Sequence, residues 1–330
     1  MENKIVKWGI LSTGRIAKKF AEALSSVNNS ALYAVASRNF ESAQQFAEEY
    51  NVSRAYGSYV ELMQDPMVDV IYIATPHNLH YQNTMDSLEH GKHVLCEKPF
   101  AINYGEVSKM IDKAKEKNLF LMEALWSRFL PNIIKTKELI DSGVIGKVKL
   151  VNAAFCILSQ NGNEHRHFNK TLGGGTLLDI GIYNVFLSLF LLGKPKSINS
   201  VAGIGQTGVD TNLNITFKYD DDLISVMYSS FLAASPIVAE IHGEKGKIIL
   251  EHVYFCPGKV KVVLNNGEET IHDFNFIGNG YNYEAQEVVN CILNGETESK
   301  VMSFDDSLEL IKIMDEIRNQ IGVHYSEHDL

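Results

Sequence analysis

Positive charge is in short supply in this sequence: 30 Lys and Arg stand against 40 Asp and Glu, a formal net charge of −10 over 330 residues. A nucleic-acid or anionic-membrane surface needs clustered Lys and Arg, so no nucleic acid and no membrane is expected as partner, and a small molecule is. Cysteine is scarce and scattered. Cys96, Cys156, Cys256 and Cys291 show no paired spacing, which argues against a zinc knuckle or a disulfide framework and fits a reducing cytoplasm. Long apolar runs are missing too: none approaches a membrane span, and no apolar signal segment precedes the first strand. Internal repeats and low-complexity stretches are likewise absent. The 45% of hydrophobic residues provides for a sizeable core, and the length for two domains.

The first informative stretch is Ile5 to Leu11, an apolar run that reads as a buried strand. Ile16, Phe20 and Leu24 then recur every four residues as the inner face of a helix, with Ser12 to Gly14 as the tight bend between. Such a bend points unpaired N–H groups and the positive end of the helix dipole at whatever lies above it, and pyrophosphate is the usual occupant. A dinucleotide fingerprint has glycine at three places. This chain has Ser12, Gly14 and Ala17 there, so small residues kept for packing would read the same over this stretch alone. The candidate cofactor contacts are Ser12, Thr13, Gly14, Arg15 and Ile16. A second strand, Ala31 to Ala36, ends in Ser37-Arg38 with no carboxylate to accept from a ribose 2′-hydroxyl. Arginine suits a 2′-phosphate, so NADP is the expected cofactor with NAD as the other possibility; a solvated strand-end charge is the alternative reading of Arg38.

Ser58 and Glu61 form a capping-box pattern, and Val68 to Ile73 is a strand ending in Ala74-Thr75-Pro76-His77-Asn78. A helix from His80 to His90 stops at Gly91, and the strand His93 to Cys96 ends in Glu97-Lys98-Pro99. Pro99 keeps Lys98 out of helical geometry, extended at the mouth of the sheet. A further helix with Val107, Ile111 and Ala114 inward and a strand Leu119 to Met122 complete a β-α alternation, which implies a parallel, doubly wound sheet over residues 1–122.

From Glu123 to the end at 330 the pattern changes. After the aromatic link Leu125 to Pro131 and a helix ending near Gly143, strands succeed one another: Val148 to Phe155, Asn212 to Tyr219, Leu223 to Phe231, Ile237 to Gly243, Lys259 to Leu264 and Thr270 to Phe276. Strands without intervening helices mean a mostly antiparallel sheet, and with two terminal helices (Tyr283 to Leu293, Phe304 to Ile321) to cover it, one face calls for a second copy of the chain. Gly173 to Gly175 lead a long apolar helix through Leu192, on which Asp179 and Tyr183 sit four residues apart on one face. A buried carboxylate and phenol there are either an internally satisfied pair or a chemical site. His165, Arg166 and His167 lie in a polar loop with no carboxylate at zinc-ligand spacing, so no metal is expected and the segment reads as substrate-facing or solvated.

Ser12-Thr13-Gly14, Ala74-Thr75-Pro76 with His80, Glu97-Lys98-Pro99, and Gly174-Gly175 with Asp179 and Tyr183, in this order, resemble the glucose-fructose oxidoreductase/inositol dehydrogenase (Gfo/Idh/MocA) family across nearly the whole chain. Glu123 to Phe129, Ser12, and Tyr183 where most members carry histidine are similar to its dimeric dihydrodiol dehydrogenase branch. The resemblance implies an α/β protein: an N-terminal Rossmann domain, and a C-terminal α+β domain whose large, open, mostly antiparallel sheet makes homodimers. It implies an NAD(P)-dependent oxidoreductase that interconverts a hydroxyl and a carbonyl on a sugar-like or cyclic diol substrate. Ser37, Arg38, Ala74, Thr75, Pro76, His80, Glu97 and Lys98 would join the turn in holding cofactor, and Trp126, Arg128, Phe155, Asp179 and Tyr183 would face substrate. Tyr183 is the expected acid/base, assisted by Lys98 and Asp179, because a neighbouring ammonium lowers a phenol that titrates near about 10 when free. Two other readings go with this fold: a glycosidase that uses tightly bound NAD for transient oxidation, against which Ser37-Arg38 counts, and a non-catalytic nucleotide-binding regulator, against which Lys98, Asp179 and Tyr183 count.

Overall fold

The computed structural model describes residues 4–329, which pack as two compact units. One takes the chain up to Trp126 together with Ile277–Leu308, and the other takes Ser127–Phe276 with the chain from Glu309 on.

In the first unit, β1 (Val6–Leu11), α1 (Arg15–Leu24), β2 (Ser30–Ala36), α2 (Phe40–Glu49), β3 (Arg54–Tyr56), α3 (Tyr59–Gln64), β4 (Val70–Ile73), α4 (His80–Glu89), β5 (His93–Glu97), α5 (Tyr104–Lys117) and β6 (Leu121–Ala124) alternate as expected. All six strands pair in parallel, in the order β3-β2-β1-β4-β5-β6. β1 and β4 are fully buried but for Lys7, as strands covered on both faces must be. The order reverses between β1 and β4, and in open α/β sheets that switch point is where ligands bind, beyond the strands' C-terminal ends. The capping box of α3 is formed: the Ser58 hydroxyl accepts from the Glu61 N–H, and the Glu61 carboxylate accepts from the Ser58 N–H. Trp8, Phe20 and Tyr72 build the aromatic centre of this core, Phe20 and Tyr72 stacking at 3.7 Å.

The second unit holds α6 (Pro131–Asp141), β7 (Val148–Cys156), α7 (Ile182–Leu192) and a sheet completed by β8 (Ser197–Ile204), β9 (Asp210–Lys218), β10 (Ile224–Ser230), β11 (Ala239–Gly243), β12 (Gly246–Leu250), β13 (Val260–Leu264) and β14 (Glu269–His272). The eight strands run in the order β14-β13-β12-β11-β7-β10-β9-β8, antiparallel throughout except for the parallel pair β7/β10. α7 packs on β7 and β10 from one side. On the other side Leu150, Val201, Ile224 and Tyr228 are exposed, Val201 to 75%.

Two findings differ from the sequence reading. Helix α8 (Tyr281–Asn294), grouped above with the second domain, packs on α1 and β1 and so belongs to the first unit; helix α9 (Phe304–Ile321) comes after it. Asn279 and Gln286 seal that packing, the first donating to the Lys19 carbonyl at 2.8 Å and the second accepting from the Asn28 N–H at 2.8 Å. The stretch Lys170–Leu192 is, by length and composition, apolar enough to cross a membrane, where no such run was expected; 83% of that window is buried within the protein, as in a core helix.

Candidate active site

At the end of β1 the chain bends through Ser12, whose φ of 92° lies in the left-handed region, costly by about 1–2 kcal/mol for a residue with a Cβ. This is the position where the dinucleotide fingerprint has its first glycine. Ser12 is held by its N–H, which donates to the Ala36 carbonyl at 2.9 Å, and its hydroxyl accepts from the Gly14 N–H at 3.4 Å. Gly14 caps α1 with an ordinary φ of −69°, and a Cβ added there would meet nothing nearer than Ser12 Oγ at 3.7 Å. Neither backbone nor packing requires glycine at 14. A side chain would instead fill the space above the helix N-terminus, which is where a pyrophosphate would sit, so the turn fits a dinucleotide. Thr13, Arg15 and Ile16 line the same bend, Arg15 exposed. At the tip of β2, Arg38 is exposed, with Ser37 half-buried before it; burial pushes the Tyr59 phenol up while the Arg38 charge pulls it down.

The loops after β4 and β5 are tied to each other by His80. Its Nδ1 lies 2.7 Å from the Pro99 carbonyl and its Nε2 2.9 Å from the Thr75 carbonyl, and the residue is wholly buried. Burial pushes its pKa down while the two carbonyls pull it up. With both nitrogens engaged, His80 braces Ala74-Thr75-Pro76 against Glu97-Lys98-Pro99 and has no ring nitrogen left to reach a cofactor. The Thr75 hydroxyl accepts from Asn83 at 3.0 Å. Glu97 is buried, accepts from the Tyr72 hydroxyl, and accepts from the Lys98 N–H at 3.2 Å; Lys98 itself is half-exposed.

In the second unit, Gly174 and Gly175 have no room for side chains. A Cβ on Gly174 would stand 2.8 Å from the Asn169 carbonyl and 2.9 Å from that of Arg166; Gly175 has φ of 119°, and its Cβ would lie 2.4 Å from Asp210 Oδ1. Asp210, at the start of β9, accepts from the Thr176 hydroxyl at 2.6 Å and the Leu177 N–H at 2.7 Å, and the Tyr325 hydroxyl donates to the Gly174 carbonyl at 2.5 Å. Beyond this turn the chain does not form the uniform α-helix expected: Leu177–Gly181 is a π-turn, and α7 begins after it. Asp179 and Tyr183 are 5% and 7% exposed. Arg166 Nη1 lies 2.9 Å from Asp179 Oδ1 and His167 Nε2 3.7 Å from Oδ2, so this loop is not simply solvated; among the described residues no group of three or more His, Cys, Asp or Glu is placed to hold a metal ion.

The structure brings Phe155 and Tyr183 together, ring centroids 5.9 Å apart, and adds Phe255, which stacks on both at 4.5 Å. Sequence reasoning missed Phe255; Tyr254-Phe255 ahead of a Cys-Pro-Gly turn was the available signal. Tyr254 anchors that segment by donating to Asn184 on α7 at 2.7 Å. Arg128 sits over the Phe190 ring at 4.1 Å, and Trp126, in the first unit, stacks on Tyr281 at 4.3 Å.

Residues 6–125 match the family model described as "Oxidoreductase family, NAD-binding Rossmann fold", and residues 133–249 match that of the GFO/IDH/MocA C-terminal domain. The chain belongs to the GFO/IDH/MocA oxidoreductase family. It is 41% identical over 331 residues to trans-1,2-dihydrobenzene-1,2-diol dehydrogenase of Xenopus laevis (97% of this chain, 99% of that protein) and 35% identical over 332 residues to the enzyme of that name from Homo sapiens (98% of each). Among solved structures, the KijD10 3-ketoreductase of Actinomadura kijaniata in complex with NADP and TDP-benzene shares the fold, with a TM-score of 0.87 at 23% identity over 96% of this chain and 98% of that one.

In this GFO/IDH/MocA oxidoreductase the Glu97-Lys98-Pro99 turn is surrounded by carboxyl groups. Glu284 on α8 is wholly buried with neither oxygen partnered, and burial together with the Glu97 charge pushes its pKa well up. Glu123, 3% exposed, accepts from the Phe100 N–H at 3.0 Å. Burial raises it from 4.5 to about 7, with the Glu97 charge adding and the Ser307 and Phe100 hydrogen bonds and the Lys98 charge opposing. The folded state thus binds a proton here that the unfolded state has released, so stability falls as pH rises from 4.5 to about 7 and is level above that. Glu123→Gln, which mimics the protonated acid, should leave the melting temperature unchanged near pH 4.5 and raise it at pH 8, by the equivalent of at most about 3 kcal/mol. Thermal unfolding at the two pH values checks this; an equal change at both would mean that another group titrates.

Proposed function

We propose that the protein oxidises a secondary alcohol of a cyclic diol or sugar-like substrate, and reduces the corresponding carbonyl, with NADP as the preferred cofactor and Tyr183 as the acid/base. The observation that carries this reading is that Asp179 on the π-turn and Tyr183 in the first turn of α7 are both kept out of water, where packing alone would favour hydrocarbon. The similarity to dihydrobenzenediol dehydrogenases over the full length supports the substrate class.

When bound, the nicotinamide supplies the acceptor for the substrate's hydride. Tyr183, as phenolate, takes the proton from the substrate hydroxyl, and as phenol returns it in the reverse direction. A free phenol titrates near about 10, so the charge of Lys98 is needed to favour the phenolate near neutral pH. Asp179 orients the reacting hydroxyl, and Phe155 and Tyr183 offer ring faces to the substrate's carbon skeleton. Ser12 to Ile16, Ala74 to Pro76 and the strand-end Ser37-Arg38 hold the cofactor, Arg38 on the 2′-phosphate. The exposed apolar residues Leu150, Val201, Ile224 and Tyr228 on the open sheet face support a homodimer formed there.

Three outcomes test the reading. Turnover of a panel of dihydrodiols, inositols and sugars, monitored by NADPH absorbance, should fall about 10²–10⁴-fold in Tyr183→Phe with the cofactor KM unchanged, because only a hydroxyl is removed; full turnover in that variant sinks the acid/base assignment. Arg38→Ala should raise the NADP KM about 10–100-fold and leave that for NAD in place, and an unaltered protein that prefers NAD would refute the cofactor assignment. Light scattering at micromolar concentration should give twice the chain mass; a monomer mass rules out the dimer.

A further inference from the structure

We infer that His167 is a positioning residue for this chemistry: with Arg166 it grips the Asp179 carboxylate from the loop side and fixes its orientation. The inference rests on the assignment of Asp179 and Tyr183 above. Asp179 is almost fully buried, and a carboxylate so placed needs partners for both oxygens. Two different side chains face them: Arg166 donates to Oδ1 at 2.9 Å, and His167 Nε2 faces Oδ2 from 3.7 Å, longer than a hydrogen bond but within ion-pair reach of a protonated imidazole. The two contacts differ in kind and in exposure, the first a charge-assisted hydrogen bond and the second a longer approach. The Arg166 side chain is 42% exposed and its charge is screened by solvent, whereas that of His167 is 11% exposed.

The imidazole is itself fixed on three sides. Ser159 Oγ lies 2.9 Å from Nδ1, the ring stacks on Phe231 at 4.5 Å and 13°, and the His165 ring meets it edge-on at 4.3 Å. A Ser159 hydroxyl that donates to Nδ1 leaves the ring proton on Nε2, directed at Asp179. The loop is also joined to the turn that carries Asp179. The His167 carbonyl accepts from the Gly175 N–H at 2.9 Å and the Asn169 carbonyl from the Gly174 N–H at 2.9 Å, so loop and turn hold one geometry.

His167→Phe keeps the stack on Phe231 and the edge contact with His165 but removes both nitrogens. With trans-1,2-dihydrobenzene-1,2-diol, or the sugar of the panel that is turned over faster, its kcat should fall about tenfold while the NADP KM and the melting temperature hold; His167→Gln, whose amide still offers an N–H, should recover part of the loss. A merely structural histidine would be replaced by phenylalanine without effect on kcat. If Tyr183→Phe is inactive and His167→Phe turns over fully, the inference falls and the proposed function stands; if Tyr183→Phe is fully active, the proposed function falls first. Should His167→Phe fail to fold, Ser159→Ala decides, since it releases the imidazole without altering its packing: a lower kcat supports the inference and an unchanged kcat overturns it.

Discussion

The second unit depends on one buried carboxylate. Asp210 reaches from β9 to the Thr176 hydroxyl and the Leu177 N–H, and so ties the first helical turn after the glycines to the central sheet. Its other oxygen lies so close to Gly175 that no side chain fits there, and the positive φ of that glycine goes with the approach. The π-turn, Asp179, and the start of α7 inherit their position from this contact. Tyr325 closes it from the far side, and is itself held by the clasp in which Arg318 donates twice to Asp329, whose carboxylate also accepts the Tyr325 N–H. A carboxyl that is fully buried yet accepts two such bonds combines a large desolvation cost with strong local order, the combination expected where geometry matters more than stability.

The first unit meets the opposite condition. Glu123 and Glu284 are buried within reach of the Glu97 charge, and burial together with that charge pushes both pKa values up. The neighbourhood of Lys98 is thereby kept from accumulating the negative charge that three ionised carboxylates would bring.

Much of this was legible from residue order. Alternating apolar strands and amphipathic helices over the first part of the chain sufficed for the parallel sheet, Ser58 and Glu61 for their capping box, and runs of strands without helices for the antiparallel sheet, because each signal is local. Strands β8 and β12 were not foreseen. The apolar residues of Ser197–Ile204 (Ile198, Val201, Ala202 and Ile204) do not alternate, and Gly246–Leu250 is short, so neither shows a period of its own. The π-turn left no trace either, since one extra residue in a turn does not alter an all-apolar pattern. The partners of the candidate site were hidden for a different reason. Asp210 and Tyr325 lie 34 and 151 residues from what they hold, and the loop of Arg166 and His167 reads as polar until the fold shows Asp179 beneath it. His80 reads as a ligand from its motif, and only burial reveals it as a brace between two loops.

The interrupted course of the chain through its two units bears on how the protein is made. A ribosome delivers the six parallel strands first, at a stage when α8 does not yet exist and the surface of α1 and β1 that it covers is bare. That surface has to wait until all of Ser127–Phe276 has been synthesised, so the second unit has the opportunity to fold while the first is still incomplete. The nucleotide-binding unit is thus completed by the last of its pieces to arrive, not by the first to emerge.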